Sequence, residues 1–110
     1  MAVFQVFKSP LKKEYYFLLK ATGNSQLILS GQGFPSKQNC IENIEFFKET
    51  ASSDDSYQLL DQYLSYTFLA VNKKGIVVGK SENYTTEAAR EQIIILIKRD
   101  ATSAVIQDLT

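Results

Sequence analysis

Short stretches of alternating large side chains punctuate the chain: Phe4 to Lys8, Tyr15 to Ala21, Tyr57 to Asp61 and Tyr66 to Asn72. Aromatic and branched residues at a period near two predict strands. Third apolar runs follow at Leu27-Ile28-Leu29 and Ile76-Val77-Val78. Each is separated from the run before it by Thr22-Gly23-Asn24-Ser25 or by Lys73-Lys74-Gly75. Gly and Asn tolerate positive φ, so both spacers read as hairpin turns between antiparallel strands.

The periodicity then changes to three and four. Cys40, Ile41, Ile44, Phe47 and Ala51 form one apolar stripe, and Ser36 just before it can cap a helix through its side-chain oxygen. Thr86 is the matching cap for a second helix. There the unbroken run Ile93-Ile94-Ile95-Leu96-Ile97 could by itself be a buried strand. The helix-favouring segment Glu87-Ala88-Ala89-Arg90-Glu91-Gln92 and the likeness to the first helix decide for a helix.

That likeness extends along the chain. Tyr15-Tyr16-Phe17-Leu18-Leu19 is answered by Tyr66-Thr67-Phe68-Leu69-Ala70, and Leu27-Ile28-Leu29 by Ile76-Val77-Val78. Phe34, Ile44, Phe47, Lys48 and Ala51 return as Tyr84, Ile94, Ile97, Lys98 and Ala101. A duplicated unit constrains every local assignment. The expectation is an α+β fold of two tandem β-β-β-α-β units, about 1–53 and 54–110, within a single domain. Their strands form one mostly antiparallel sheet with both helices packed on one face. Ala51 to Ser56 is the hinge, and Ala104-Val105-Ile106-Gln107 reads as a closing strand. The segment from Tyr57 is expected to close the first unit while opening the second.

Composition narrows the function more than it identifies it. Twelve basic side chains balance twelve acidic ones, so bulk charge does not favour nucleic acid. The chain has no His and one Cys, which removes Ser-His and Cys-His pairs, an intramolecular disulfide and the commonest metal ligand. No catalytic, cofactor or metal site is therefore expected, and the chain reads as a non-enzyme. Met1 to Pro10 lacks the basic and apolar regions of a secretion signal, and no apolar run approaches a membrane span, which predicts a cytoplasmic protein. On that reading the sequon at Asn83-Tyr84-Thr85 is a coincidence.

The segments Tyr15-Tyr16-Phe17, Leu19-Lys20-Ala21, Ile28-Leu29-Ser30, Gly33-Phe34-Pro35-Ser36-Lys37 and Cys40-Ile41-Glu42-Asn43-Ile44 together resemble the YegP-like family of small bacterial proteins. The second half resembles a more diverged copy, through Val77 to Tyr84 and Ala104 to Asp108. The resemblance covers almost the whole chain. It implies tandem units in one continuous sheet with exchanged C-terminal strands, and it implies no activity, the family being a domain of unknown function. Leu18, Leu69 and Val71 stand where the family more often has polar or basic residues, and Gly31-Gln32 replaces a Ser-Glu pair.

Isolated features read more simply as structure than as chemistry. Cys40 lies on an apolar stripe, Glu42, Glu45 and Glu49 follow the spacing of a solvated helix face, and Gly31-Gln32-Gly33 lacks the spacing of a phosphate loop. Lys12, Lys13, Lys73 and Lys74 fall at loop tips, where they serve solubility or a weak contact with a polyanion.

Surplus apolar surface carries more information. If Phe17, Leu19, Phe68 and Ala70 face the helices, alternation sends Leu18, Leu69 and Val71 to the opposite, uncovered face. Ile93 and Ile95 occupy positions that are Asn43 and Glu45 in the first helix, which assigns them to a helix flank. These five residues are the expected contact with a second copy or a protein partner.

Overall fold

The computed structural model describes residues 1–110. Its strands are β1 (Ala2–Lys8), β2 (Tyr15–Ala21), β3 (Leu27–Gly31), β4 (Tyr57–Gln62), β5 (Ser65–Val71), β6 (Val77–Ser81) and β7 (Val105–Asp108). Helix α1 (Lys37–Thr50) follows β3, and α2 (Glu87–Asp100) follows β6. One seven-stranded mixed sheet runs in the order β4-β5-β6-β3-β2-β1-β7. All neighbours are antiparallel except β1 and β7.

The turns and caps follow from the residues that make them. Gly23 and Gly75 take φ of +96° and +78°, left-handed conformations that a side chain would strain. Ser36 Oγ accepts from the Asn39 amide at 3.0 Å, and Thr86 Oγ1 from the Ala89 amide at 3.1 Å, so each helix begins on its expected cap. The isoleucine-rich run is helical, with Ile94 and Ile97 turned inward. A short return bridge then ties each helix entry to the sheet. Tyr15 and Phe34 exchange amide-to-carbonyl bonds of 2.8 and 2.7 Å, as do Tyr66 and Tyr84 at 2.7 and 3.1 Å.

Phe4, Val6, Phe17, Leu19, Phe68 and Ala70 project from the sheet into one buried cluster with Ile44, Phe47, Ile94 and Ile97. Edge-to-face rings join its parts: Phe4 with Phe17 at 5.7 Å, Phe47 with Tyr57 at 6.1 Å, and Tyr57 with Phe68 at 5.7 Å. Gly31 belongs to this packing and not to a ligand loop. A Cβ placed on it would lie 2.4 Å from Phe17 Cδ1.

A polar tie locks α1 to the turn between β5 and β6. Buried Asn72 donates from Nδ2 to Asn43 Oδ1 at 2.8 Å, while its own Oδ1 accepts from the Lys74 amide at 2.9 Å and the Ile76 amide at 3.2 Å. Asn43 in turn donates to the Asn39 carbonyl at 2.9 Å. Asn72→Ala strands these groups out of water, so a loss of about 1–3 kcal/mol is expected in urea unfolding, with no change in far-ultraviolet circular dichroism.

Two expectations need correction. Val71 is only 7% exposed: it pairs with Val77 beyond a register shift between Ala70 and Val71, and does not lie on an open face. Ile93 is 9% exposed and joins the core cluster, because the helix position it fills faces inward, as that of buried Asn43 does in α1. β4 pairs only with β5, whereas β7 pairs in parallel with β1.

Candidate functional site

The sheet face away from the helices carries one continuous row. Its members, by cross-strand register, are Gln107, Gln5, Leu18, Ser30, Lys80, Leu69 and Gln58. Gln5 Nε2 donates to Gln107 Oε1 at 3.0 Å, and Phe7 stacks on Tyr16 at 5.4 Å on the same side. Leu18 and Leu69 are half-buried on this face and separated by Ser30 and Lys80, with Leu18 beside the Phe7 and Tyr16 rings.

Five of the ten exposed large apolar side chains, Leu59, Leu60, Tyr63, Leu64 and Ile95, lie on β4, in the turn after it and on α2. Leu59 and Leu60 are 50% and 41% exposed, and the turn after them presents Tyr63 and Leu64. Leu59 pairs with the fully buried Phe68, so it points to the helix side of the sheet. It has no strand outside it. A groove there is lined by Asp54, Tyr57, Leu59, Glu91, Ile94 and Lys98. Ile95, 59% exposed, lies on the same outer stripe of α2 as Glu91 and Lys98, four residues before it and three after. Of the five expected contact residues, then, Ile95 stands at this edge, Leu18 and Leu69 stand apart on the sheet face, and Val71 and Ile93 are buried. Reading strands singly missed Leu59 and Leu60, since exposure at an edge depends on strand order and not on alternation.

Sequence reasoning also missed Arg90, which is 2% exposed on α2 at the position Cys40 holds on α1. Its Nη1 donates to Asp61 Oδ1 and to the Thr67 carbonyl at 3.3 Å, and its guanidinium lies 5.5 Å from the centre of the Tyr66 ring. A charged residue on an apolar stripe was the available signal, because a buried guanidinium requires a partner. The arrangement fastens α2 to β4 and β5.

The remaining candidates resolve into structural roles. Burial raises the Cys40 thiol to about 11, leaving little thiolate at neutral pH. Burial also raises the Tyr57 hydroxyl, which donates to the Ala51 carbonyl at 2.5 Å. The Tyr84 hydroxyl is raised by burial and then by Glu82. Lys73 pairs with Glu49 at 2.8 Å, and both Lys73 and Lys74 lean on the Phe46 ring, at 4.9 and 4.4 Å. Lys12 and Lys13 remain exposed in the turn between β1 and β2. No helix is long and apolar enough to cross a membrane.

β7 is held along its length. Lys48 Nζ donates to the Ala104 carbonyl at 2.6 Å, Ile106 packs against the core, and Lys37 Nζ meets Asp108 Oδ2 at 3.0 Å. Hydrogen bonds from the Thr110 hydroxyl and amide, with Lys37 beside them, hold the Asp108 carboxyl down to about 2.

Comparison with known proteins finds matches over most of the chain. Residues 12–58 match the model of a domain of unknown function, DUF1508. A UPF0339 protein encoded in the ptx operon 5' region of Stutzerimonas stutzeri is 32% identical over 100 residues, spanning 87% of this chain and 86% of that protein. The YegP protein of Escherichia coli K12 is 26% identical, spanning 97% and 96% of the two chains. The solution structure of a Shewanella oneidensis UPF0339 protein superposes with a TM-score of 0.89 at 24% identity, covering 99% of this chain and 92% of that one. The E. coli YegP solution structure gives 0.87 at 25% identity, covering 99% and 93%.

Proposed function

Since the chain belongs to the YegP-like UPF0339 family, whose function is uncharacterised, we propose from its own surface that it is a non-enzymatic interaction module that associates with itself or another protein. The observation that carries this reading is the exposed apolar surface at the β4 edge and the α2 flank: Leu59 and Ile95 on the helix side, Leu60 on the opposite face and Leu64 in the turn after the strand. Covering one such side chain is worth about 1.5–3 kcal/mol, and an uncovered strand edge also leaves backbone donors and acceptors unpaired.

We read the module as two tandem β-β-β-α-β units. Support comes from features that recur at matching places: the caps Ser36 and Thr86, the bridges Tyr15 to Phe34 and Tyr66 to Tyr84, and register shifts after Leu19 and after Ala70. Ser30 and Lys80, fifty positions apart, pair with each other at the centre of the sheet, as expected for two units related by a local two-fold axis. The segments after the helices also exchange. Lys48 of α1 holds Ala104 ahead of β7, and Lys98 of α2 holds Asp54 ahead of β4.

Sedimentation of the purified chain tests the association. If the partner is a second copy, association at high micromolar concentration is weakened by Ile95→Lys; if it is another protein, the chain sediments as a monomer. A strictly monomeric protein, unchanged by Ile95→Lys or Leu69→Lys, would remove self-association. Binding to a polyanion is the weaker reading, because Lys73 and Lys74 are already engaged with Glu49 and Phe46.

A further inference from the structure

We propose that the free edge of β4 and the adjoining flank of α2 dock an extended peptide strand of another protein. This strand runs parallel to β4 and carries a branched aliphatic residue followed two positions later by Lys or Arg. The proposal rests on the tandem-unit reading and names the partner of that module.

The first unit shows what such an occupant looks like. β7 runs parallel to β1 with Ile106 beside Phe4 and Asp108 beside Val6. Phe4 and Val6 face Leu19 and Phe17 on β2, just as Tyr57 and Leu59 face Ala70 and Phe68 on β5. Tyr57 therefore stands in the place of Phe4, and Leu59 in the place of Val6. With β7 alongside, Val6 is 0% exposed; without an equivalent strand, Leu59 is 50% exposed. The residues that follow α1, the counterpart of those that follow α2 and form β7, are themselves used as β4, so no strand of residues 1–110 lies outside it. An edge with unpaired backbone groups and an apolar groove accepts a strand by main-chain pairing, and the groove selects its side chains.

Charge then distinguishes the occupant from β7. Asp108 of β7 pairs with Lys37 in the first turn of α1. Glu87 holds the corresponding place in the first turn of α2, and it makes no ion pair. A cation at the Asp108-like position complements it. Neither β4 (YQLLDQ) nor β7 (VIQD) contains Lys or Arg, so these strands from a second copy lack the cation Glu87 calls for.

The test titrates nitrogen-15-labelled full chain with a synthetic peptide of Ser103 to Thr110 carrying Asp108→Lys, followed by amide shifts. Saturable shifts are expected at β4 and at Glu91, Ile95 and Lys98. The unmodified peptide should bind about two- to five-fold more weakly. Adding Ile106→Asp should weaken binding by at least about ten-fold. Glu87→Lys in the chain should reverse the preference between the Lys and Asp peptides. Absence of saturable shifts, shifts centred away from β4, or equal binding of the two peptides to both chains would overturn the proposal. Sedimentation of the same samples separates the two readings. A monomer that binds the peptide removes self-association and keeps the docking site, whereas a dimer that covers β4 and excludes the peptide overturns the docking site and keeps the module.

Discussion

Phe17→Ala is expected to remove about 3–5 kcal/mol of folding stability, a large part of the roughly 5–15 kcal/mol available to a domain of this size. Phe17 is fully buried, meets Phe4 edge to face, and fills the space that the missing side chain of Gly31 leaves open. The truncated side chain leaves a cavity among fully buried neighbours of the core. Urea unfolding followed by circular dichroism reads the loss as a lower midpoint. A midpoint within error of the wild type would mean that the ring is not a core element.

Deleting residues 104–110 is the second large effect. It removes the parallel ladder on β1, the packing of Ile106 and Ala104, the acceptor of Lys48 Nζ, and the partner of Lys37. Burial of Ile106 and Ala104 alone accounts for about 2 kcal/mol. The deletion also moves the second sheet edge from β7 to the longer β1, with Val6 newly uncovered, so concentration-dependent association should accompany the lower melting temperature. Thermal unfolding and sedimentation of the truncated chain read the two effects separately. An unchanged melting temperature would show that β7 contributes little to the fold.

Much of this architecture was legible in the residues because local rules and the internal likeness agreed. Ser36 and Thr86 cap the helices they precede, Gly23 and Gly75 turn the hairpins, and the run Ile93 to Ile97 is helical because its counterpart from Asn43 to Phe47 is. What was not legible depends on strand order. Alternation assigned Val71 to an open face, but beyond a register shift it pairs with Val77 and is itself buried. Comparing Ile93 with Asn43 suggested a flank because Asn is usually exposed, yet Asn43 is itself buried through its bond with Asn72. Leu59 and Leu60 gave no signal as a contact surface, because a strand of that composition is ordinary until it is known to be last in its sheet. Arg90 was hidden in the same way, its need for Asp61 being met only once β4 lies beside α2.

The central claim is that the two strands opening the halves of this chain differ in their cover: β1 is flanked on both sides, and β4 on one. Residue-resolved hydrogen exchange at low protein concentration measures this directly. Amides of β1 from Val3 to Val6, the residues β7 covers, should all be slow, whereas the Leu59 and Asp61 amides of β4, pointing away from β5, should exchange at close to the rate of an open chain. Uniform protection along β4 in the dilute protein, or rapid exchange on the β7 side of β1, would contradict it.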